Sequence, residues 1–215
     1  MASIKQYIAE GEHVQQDFKT RIDDQRKIAR TLAAFANTEG GRLLIGVKDN
    51  GKIKGIVPEE EFHMIQGAAE LFCRPAVQFT SNIWQEDAKL VLEIKVASVA
   101  KKFIKATDED GSWKCFIRVK DETLKANKII LKLWKLDQRP VEKPLTFRQQ
   151  ELVCLKAISK EDNPVNISRL YKAVTELSKQ QIDDSLALLL HWKMVEWLHE
   201  DGKFVYRIPE AIEII

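Results

Sequence analysis

Apolar positions in the first two-thirds of the chain switch repeatedly between the two-residue alternation of strands and the 3.6-residue spacing of helices. Residues 3–9 predict a short helix, and Val14, Gln16 and Phe18 fall on one face of a strand. Over residues 23–37, Ile28, Leu32, Ala33, Phe35 and Ala36 keep helical spacing. The run Asn37-Thr38-Glu39-Gly40-Gly41 ends that helix, with glycine supplying the left-handed conformation that stops it. Segments 42–47 and 52–56 have strand character and flank Asn50-Gly51, a strong hairpin signal. A helix is expected over 59–71, strands over 77–84 and 89–97, and a second hairpin from 103–106 and 113–119. Thr123 is placed to cap a helix running to about Leu136.

Pro140 and Pro144 then interrupt the pattern within a charged stretch, which predicts a linker at 139–145 between domains 1–138 and 146–215. The second domain begins with a helix over 146–158 that turns Phe147, Leu152, Leu155 and Ile158 inward. A short helix over 166–174 follows. Ser178 caps a third helix, running to about Trp192 with Ile182, Leu186, Leu189 and Leu190 as its apolar stripe. Segments 194–198 and 204–208 alternate across Glu200-Asp201-Gly202 as a hairpin. Three helices and a two-stranded wing are the order of a winged helix-turn-helix. The expected fold class is α+β: a mixed sheet-and-helix N-terminal domain followed by a small winged helix-turn-helix domain.

Composition narrows the partners. The 215 residues are 45% hydrophobic and 31% charged, and 34 basic against 32 acidic side chains leave a net charge of +2. That balance excludes a uniform cationic coat for nucleic acid or membrane, and a disordered acidic tail. The three cysteines are widely spaced and form no C-x-x-C pair, which argues against a disulfide framework or a cysteine zinc site. No apolar run exceeds about five residues, far below the ~20 that span a bilayer, and the N-terminus has no apolar leader core. A soluble cytoplasmic protein is expected.

The acidic residues near the first strand carry the clearest chemistry. Asp17 and Lys19 are two apart, so their side chains project from one face. A carboxylate beside a lysine and further carboxylates is a way to build a metal-dependent nuclease. The acids hold Mg²⁺ or Mn²⁺ while the ammonium stabilises phosphate charge. Glu12 lies upstream with the opposite parity, and reaches the same face if the chain bends near Gly11. Asp49, at the mouth of the Asn-Gly turn, completes a site if strand 14–20 lies beside strand 42–47. The alternative is a solvated surface in which Asp17 and Lys19 form an exposed pair worth under ~1 kcal/mol.

The order Gly11-Glu12-His13, Asp17-Phe18-Lys19, then Ala34-Phe35-Ala36-Asn37-Thr38-Glu39-Gly40-Gly41, Ile45-Gly46-Val47 and Asp49 strongly resembles the AlbA_2 family. That family is the Schlafen-type DNA-binding domain, also described as a divergent AAA or ATP-binding domain. The run from Phe116 to Thr123, followed by Ala126-Asn127, resembles its closing strand and helix, and the likeness covers about residues 4–136. It implies an AlbA_2-like N-terminal domain ahead of the winged helix. In RNA-cleaving Schlafen relatives the catalytic and metal-holding carboxylates occupy the positions of Glu12, Asp17 and Asp49, with Lys19 assisting. Those relatives have Glu-Ser and Glu-Phe-Lys where this chain has Glu12-His13 and Asp17-Phe18-Lys19, so the second acid is one methylene shorter. The chain contains neither G-x-x-x-x-G-K-[ST] nor G-x-G-x-x-G, so no motif supports ATP as a cofactor.

Charge is divided unevenly about the linker. Residues 1–144 hold 25 basic and 21 acidic side chains and residues 145–215 hold 9 and 11, while 101–143 alone carries 12 basic and 7 acidic. Lys101, Lys102, Lys105, Lys114, Arg118 and Lys120 lie on or beside the second hairpin, interleaved with Trp113 and Phe116. Such a ribbon follows a phosphate backbone and stacks bases, or is a lysine-protected edge strand. On the third helix of the second domain, Lys179, Gln180 and Gln181 are placed to touch DNA, while Asp183 and Asp184 oppose a polyanion. The expected function is nucleic-acid binding (DNA or RNA) by a transcriptional regulator, a homodimer whose winged helix contacts DNA or mediates dimerisation. The alternative is a Mg²⁺- or Mn²⁺-dependent ribonuclease using Glu12, Asp17, Asp49 and Lys19.

Overall fold

A computed structural model describes residues 3–101, 103–139, 146–160, 164–210 and 212. It divides into two compact units, Met1–Ala126 and Asn127–Ile215. In the first, the elements are α1 (Ile4–Glu10), β1 (Gln16–Lys19), α2 (Gln25–Asn37), β2 (Gly41–Ile45), α3 (Pro58–Leu71), β3 (Cys73–Arg74), β4 (Phe79–Glu86), β5 (Lys89–Val96), β6 (Lys105–Thr107), β7 (Trp113–Val119) and β8 (Glu122–Lys125). They form two four-stranded sheets, ordered β1-β2-β5-β4 and β3-β6-β7-β8. Strand β1 runs parallel to β2, with Asp17 opposite Leu43 and Lys19 opposite Ile45.

Helix α2 is the centre of this unit. Asp24 caps it through the backbone N–H groups of Arg26 and Lys27. From Ile28 onward it is buried almost throughout, and it packs against α3, β6 and β7. Its alanines allow close approach, and Leu32 and Phe35 join Leu43 and Ile45 of β2 and Phe116 of β7 in one core. The opposite face of the first sheet covers a smaller core in which Ile4 of α1 meets Phe18, Leu44, Val47 and Val91. Alternation along β1 thus sends Phe18 to one core and leaves Asp17 and Lys19 on the α2 side.

The Asn37-Thr38-Glu39-Gly40-Gly41 run is a brace. Buried Asn37 donates to the carbonyls of Ile104 and Phe116 and accepts from the N–H groups of Phe103 and Ile104. Thr38 donates its hydroxyl to the Ala34 carbonyl and accepts the Arg118 N–H. Gly40 has φ +75°, and a Cβ there would stand 2.8 Å from the Val96 carbonyl oxygen. A Cβ on Gly41 would sit 2.2 Å from the Phe35 ring. These residues bind the helix end to both sheets.

Three expectations for this unit change. The Asn50-Gly51 turn joins its arms by a single bridge, Val47 to Ile53, so 52–56 is not a full strand. Thr123 lies in β8 and caps nothing; Asn127 caps the next helix through the N–H groups of Ile129 and Ile130. Segment 14–20 pairs only from Gln16, because the chain before it turns through a His13 to Gln16 bridge.

The second unit contains α4 (Lys128–Asp137), α5 (Gln149–Lys160), β9 (Val165–Asn166), α6 (Ile167–Ala173), α7 (Lys179–His191), β10 (Glu196–Glu200) and β11 (Lys203–Arg207). Its sheet is ordered β10-β11-β9. Ile129, Leu133 and Leu136 of α4 pack with Leu186, Leu189 and Leu190 of α7. The compact division therefore falls ahead of α4, where the proline-rich segment had placed it after that helix; residues 140–145 of the expected linker lie outside the described residues. In α5, Cys154 rather than Leu152 faces inward, Leu152 being 38% exposed, because the helix begins at Gln149. Trp192 packs edge-on to Phe147, and Trp197 to Phe204. No described helix is long and apolar enough to cross a membrane.

Candidate functional site

Glu12, Asp17 and Lys19 come together at the start of β1. The turn near Gly11 (φ +73°) returns Glu12 so that its carboxylate accepts the Phe18 N–H at 2.9 Å. Asp17 is buried, and its carboxylate lies 2.7 Å from Lys19 Nζ and 3.9 Å from an Arg118 Nη. Lys19 also donates to the Phe18 carbonyl at 2.7 Å. Burial raises the Glu12 carboxyl above its ordinary range, the Phe18 N–H opposes that rise, and Asp17 adds to it.

Arg118 is the unexpected member. Only 3% of the residue is exposed, so it is not part of a solvent-facing basic ribbon. Its guanidinium donates to Thr123 Oγ1 and to the carbonyls of His13 and Gln16, and stands 5.1 Å from the centre of the Phe35 ring. Burial lowers its pKa, countered by the charges of Asp17 and Glu12. Asp17 is thereby the counter-ion of a buried cation, a role the spacing of the two residues, 101 apart, does not reveal.

Among the described residues no hydrogen bond or ion pair joins Asp49 to Glu12, Asp17 or Lys19. Asp17 pairs with Leu43, six residues earlier, and the Lys19 carbonyl takes the N–H groups of Gly46 and Val47 where the pairing ends. Asp49 follows two residues later, exposed in the turn beyond β2. Among the described residues no three His, Cys, Asp or Glu side chains are gathered to hold a metal ion. Glu12 and Asp17 face each other closely enough to share a proton, and each keeps lone pairs beyond its Phe18 N–H or lysine contact.

A cavity of about 350 Å³ opens beside Asp17 and Lys19. Lys27, Arg30 and Thr31 of α2 line it with Arg118, Asp121 and Thr123. Lys27, Arg30 and Thr31 escaped the sequence reading; their i, i+3, i+4 spacing on the polar side of α2 was the available signal. Arg30 is itself paired with Glu109 at 3.3 Å.

The remaining candidates separate. Lys101, Lys105, Lys114 and Lys120 are exposed, but Lys105 pairs with Cys115 while Lys114 pairs with Ala106, so the two project from opposite faces. Phe116 is buried and Trp113 carries the Arg74 guanidinium at 4.1 Å, so neither is an open stacking platform. Lys102 lies outside the described residues. On α7, Gln181 closes the capping box with Ser178 and Gln180 donates to Asp184, leaving Lys179 the freer donor. Asp183 is buried and accepts from Tyr171, with Lys128 at 2.7 Å, and Asp184 pairs with Lys132. The α4 lysines thus neutralise the two acids on α7. With α4 counted in the second unit, residues 1–126 hold 20 basic and 19 acidic side chains and residues 127–215 hold 14 and 13, so the charge asymmetry disappears.

No curated protein matches the chain significantly. Among solved structures, the DIP2311 protein of Corynebacterium diphtheriae is 19% identical, with a TM-score of 0.44 over 89% of this chain and 34% of its own. This chain therefore spans about a third of that protein. The N-terminal domain of a RecG-related protein from Nitrosomonas europaea is 19% identical, with a TM-score of 0.40 over 69% of this chain and all of its own. The family model described as Schlafen, AlbA_2 matches residues 12–127, more than half of the sequence and nearly all of the first unit. By that match, the chain belongs to the Schlafen AlbA_2 family.

Proposed function

We propose that the protein binds DNA as a transcriptional regulator, with its AlbA_2 domain contacting the phosphate backbone. In this reading the C-terminal unit is a winged helix that touches DNA or pairs two copies. Family membership over residues 12–127 is the observation that carries the reading. The C-terminal order α5, α6, α7, β10, β11 agrees with a winged helix, and pairing of Asp183 and Asp184 with α4 lysines removes their repulsion of a polyanion. The ribonuclease alternative is favoured less, because among the described residues no three carboxylates are gathered around one point.

Fluorescence anisotropy with labelled DNA and RNA, across a salt series and with and without Mn²⁺, tests this. Expected is DNA binding that weakens steeply with salt and no cleavage product. Mn²⁺-stimulated RNA cleavage that Asp17→Asn and Glu12→Gln both abolish, in variants shown folded by thermal unfolding, would replace this reading with the ribonuclease.

A further inference from the structure

Lysines concentrate at a groove between α1, the 48–54 turn and the turn joining β4 to β5. The groove encloses about 690 Å³, and Lys5, Lys48, Lys52, Lys54 and Lys89 all line it, against Glu86 and Asp87. None of these residues was singled out as a nucleic-acid contact by the sequence.

Five lysines face two acids there, and among the described residues only one lysine is paired. The Val47 to Ile53 bridge and the Lys48 N–H bond to the Lys52 carbonyl set Lys48 opposite Lys52. Like charges directly opposite each other destabilise a strand pair. Lys54 lies two residues beyond Lys52 and lines the same groove. All three are exposed, and among the described residues no ion pair joins them or Lys89 to a carboxylate. Lys89 donates instead to the Ile53 carbonyl at 2.9 Å. Only Lys5 is paired, to Glu86 at 2.6 Å. Asp49, in the same turn, is the nearest acid in sequence and lines no part of the groove.

From this geometry we infer that the groove is the DNA-backbone contact of the AlbA_2 domain, an inference that rests on the DNA-binding reading above. Lysine ammonium groups on flexible stems neutralise phosphates without demanding one fixed geometry. The other lining side chains, Ile8, Ala9 and Ile53, are aliphatic. With no aromatic platform for unstacked bases, the groove suits the closely spaced phosphates of a duplex rather than a single strand.

The test compares the intact protein with two triple variants, using a labelled DNA duplex, the same sequence as single-stranded DNA, and an RNA duplex. One variant carries Lys48→Gln, Lys52→Gln and Lys54→Gln; the other carries Lys101→Gln, Lys105→Gln and Lys114→Gln. Unchanged thermal unfolding verifies that both remain folded. The groove variant is expected to lose about tenfold or more in duplex DNA affinity, with a shallower salt dependence by about 2.7 in the log–log slope, at ~0.9 per phosphate for three contacts. If the wild type binds the duplex and only the second triple variant loses affinity, the groove assignment is overturned while DNA binding stands. A preference of the wild type for RNA or single strands overturns the assignment to duplex DNA, and no binding to any of the three overturns both.

Discussion

The Arg118 guanidinium lies 3.9 Å from the Asp17 carboxylate, with 2% and 6% of the two side chains exposed. Two groups this buried cannot be separated cheaply, because removing one leaves the other charged and poorly solvated. Asp17→Asn should therefore destabilise the protein by about 3 kcal/mol in urea unfolding. The double variant Asp17→Asn with Arg118→Met should cost less than the sum of the single changes. Additive costs would show that the two residues are not coupled.

Among the described residues Asn37 makes four hydrogen bonds at the end of α2. At about 1 kcal/mol each, Asn37→Ala should lower stability by roughly 3–4 kcal/mol. Gly41→Ala places a methyl group against the Phe35 ring and should cost about 1–3 kcal/mol. Equilibrium unfolding checks both. A negligible effect at Asn37 would remove its role as the brace between the sheets.

Glu12 binds a proton more tightly in the folded protein than its ordinary 4.5 allows, with burial the largest cause. The folded state then holds more protons than the unfolded state between 4.5 and the raised value. Stability from this group is present at lower pH and is lost as pH rises through that interval. Glu12→Gln keeps an acceptor for the Phe18 N–H, and should flatten this part of the curve of unfolding free energy against pH. An unchanged curve would show that another group is responsible.

Cys73, Cys115 and Cys154 are free and buried. Burial pushes Cys73 up to about 12 and Cys154 to about 11. Since the thiolate is the reactive form, none should react with a disulfide reagent at neutral pH until the protein unfolds. Mass spectrometry after brief labelling reads this directly.

Helix α4 contributes Ile129 and Leu133 to the C-terminal core, and Lys128 and Lys132 to Asp183 and Asp184. A fragment beginning at Asn127 should be folded by far-UV circular dichroism and cooperative melting. One beginning at residue 146, without the helix, should melt without a cooperative transition. Equal melting of the two would return the boundary to the proline-rich segment.

Strong local signals made much of this architecture legible in the chain. Alternation placed Asp17 and Lys19 on one face of β1, helical spacing and the Asn37 to Gly41 stop delimited α2, and Ser178 capped α7, each within a few neighbouring residues. The family was equally legible, since the Ala34 to Gly41 run is constrained at every step by hydrogen bonds and close contacts. Local pattern failed where partners are remote. Thr123 has the chemistry of a cap, yet β7 pairing draws it into a strand. Lys114 and Lys105 look like one patch, yet their register puts them on opposite faces.

By itself, then, the sequence determined most of the helices and long strands, the family and the common face of Asp17 and Lys19, because these depend on short-range spacing. Only the tertiary structure decided that Arg118 is buried beside Asp17 and that α4 packs with the C-terminal unit. It also gathered Lys5, Lys48, Lys52, Lys54 and Lys89 around one groove. The physical reason is common to all three: charge and apolar packing act through space, and separation along the chain does not encode distance across a sheet or between turns.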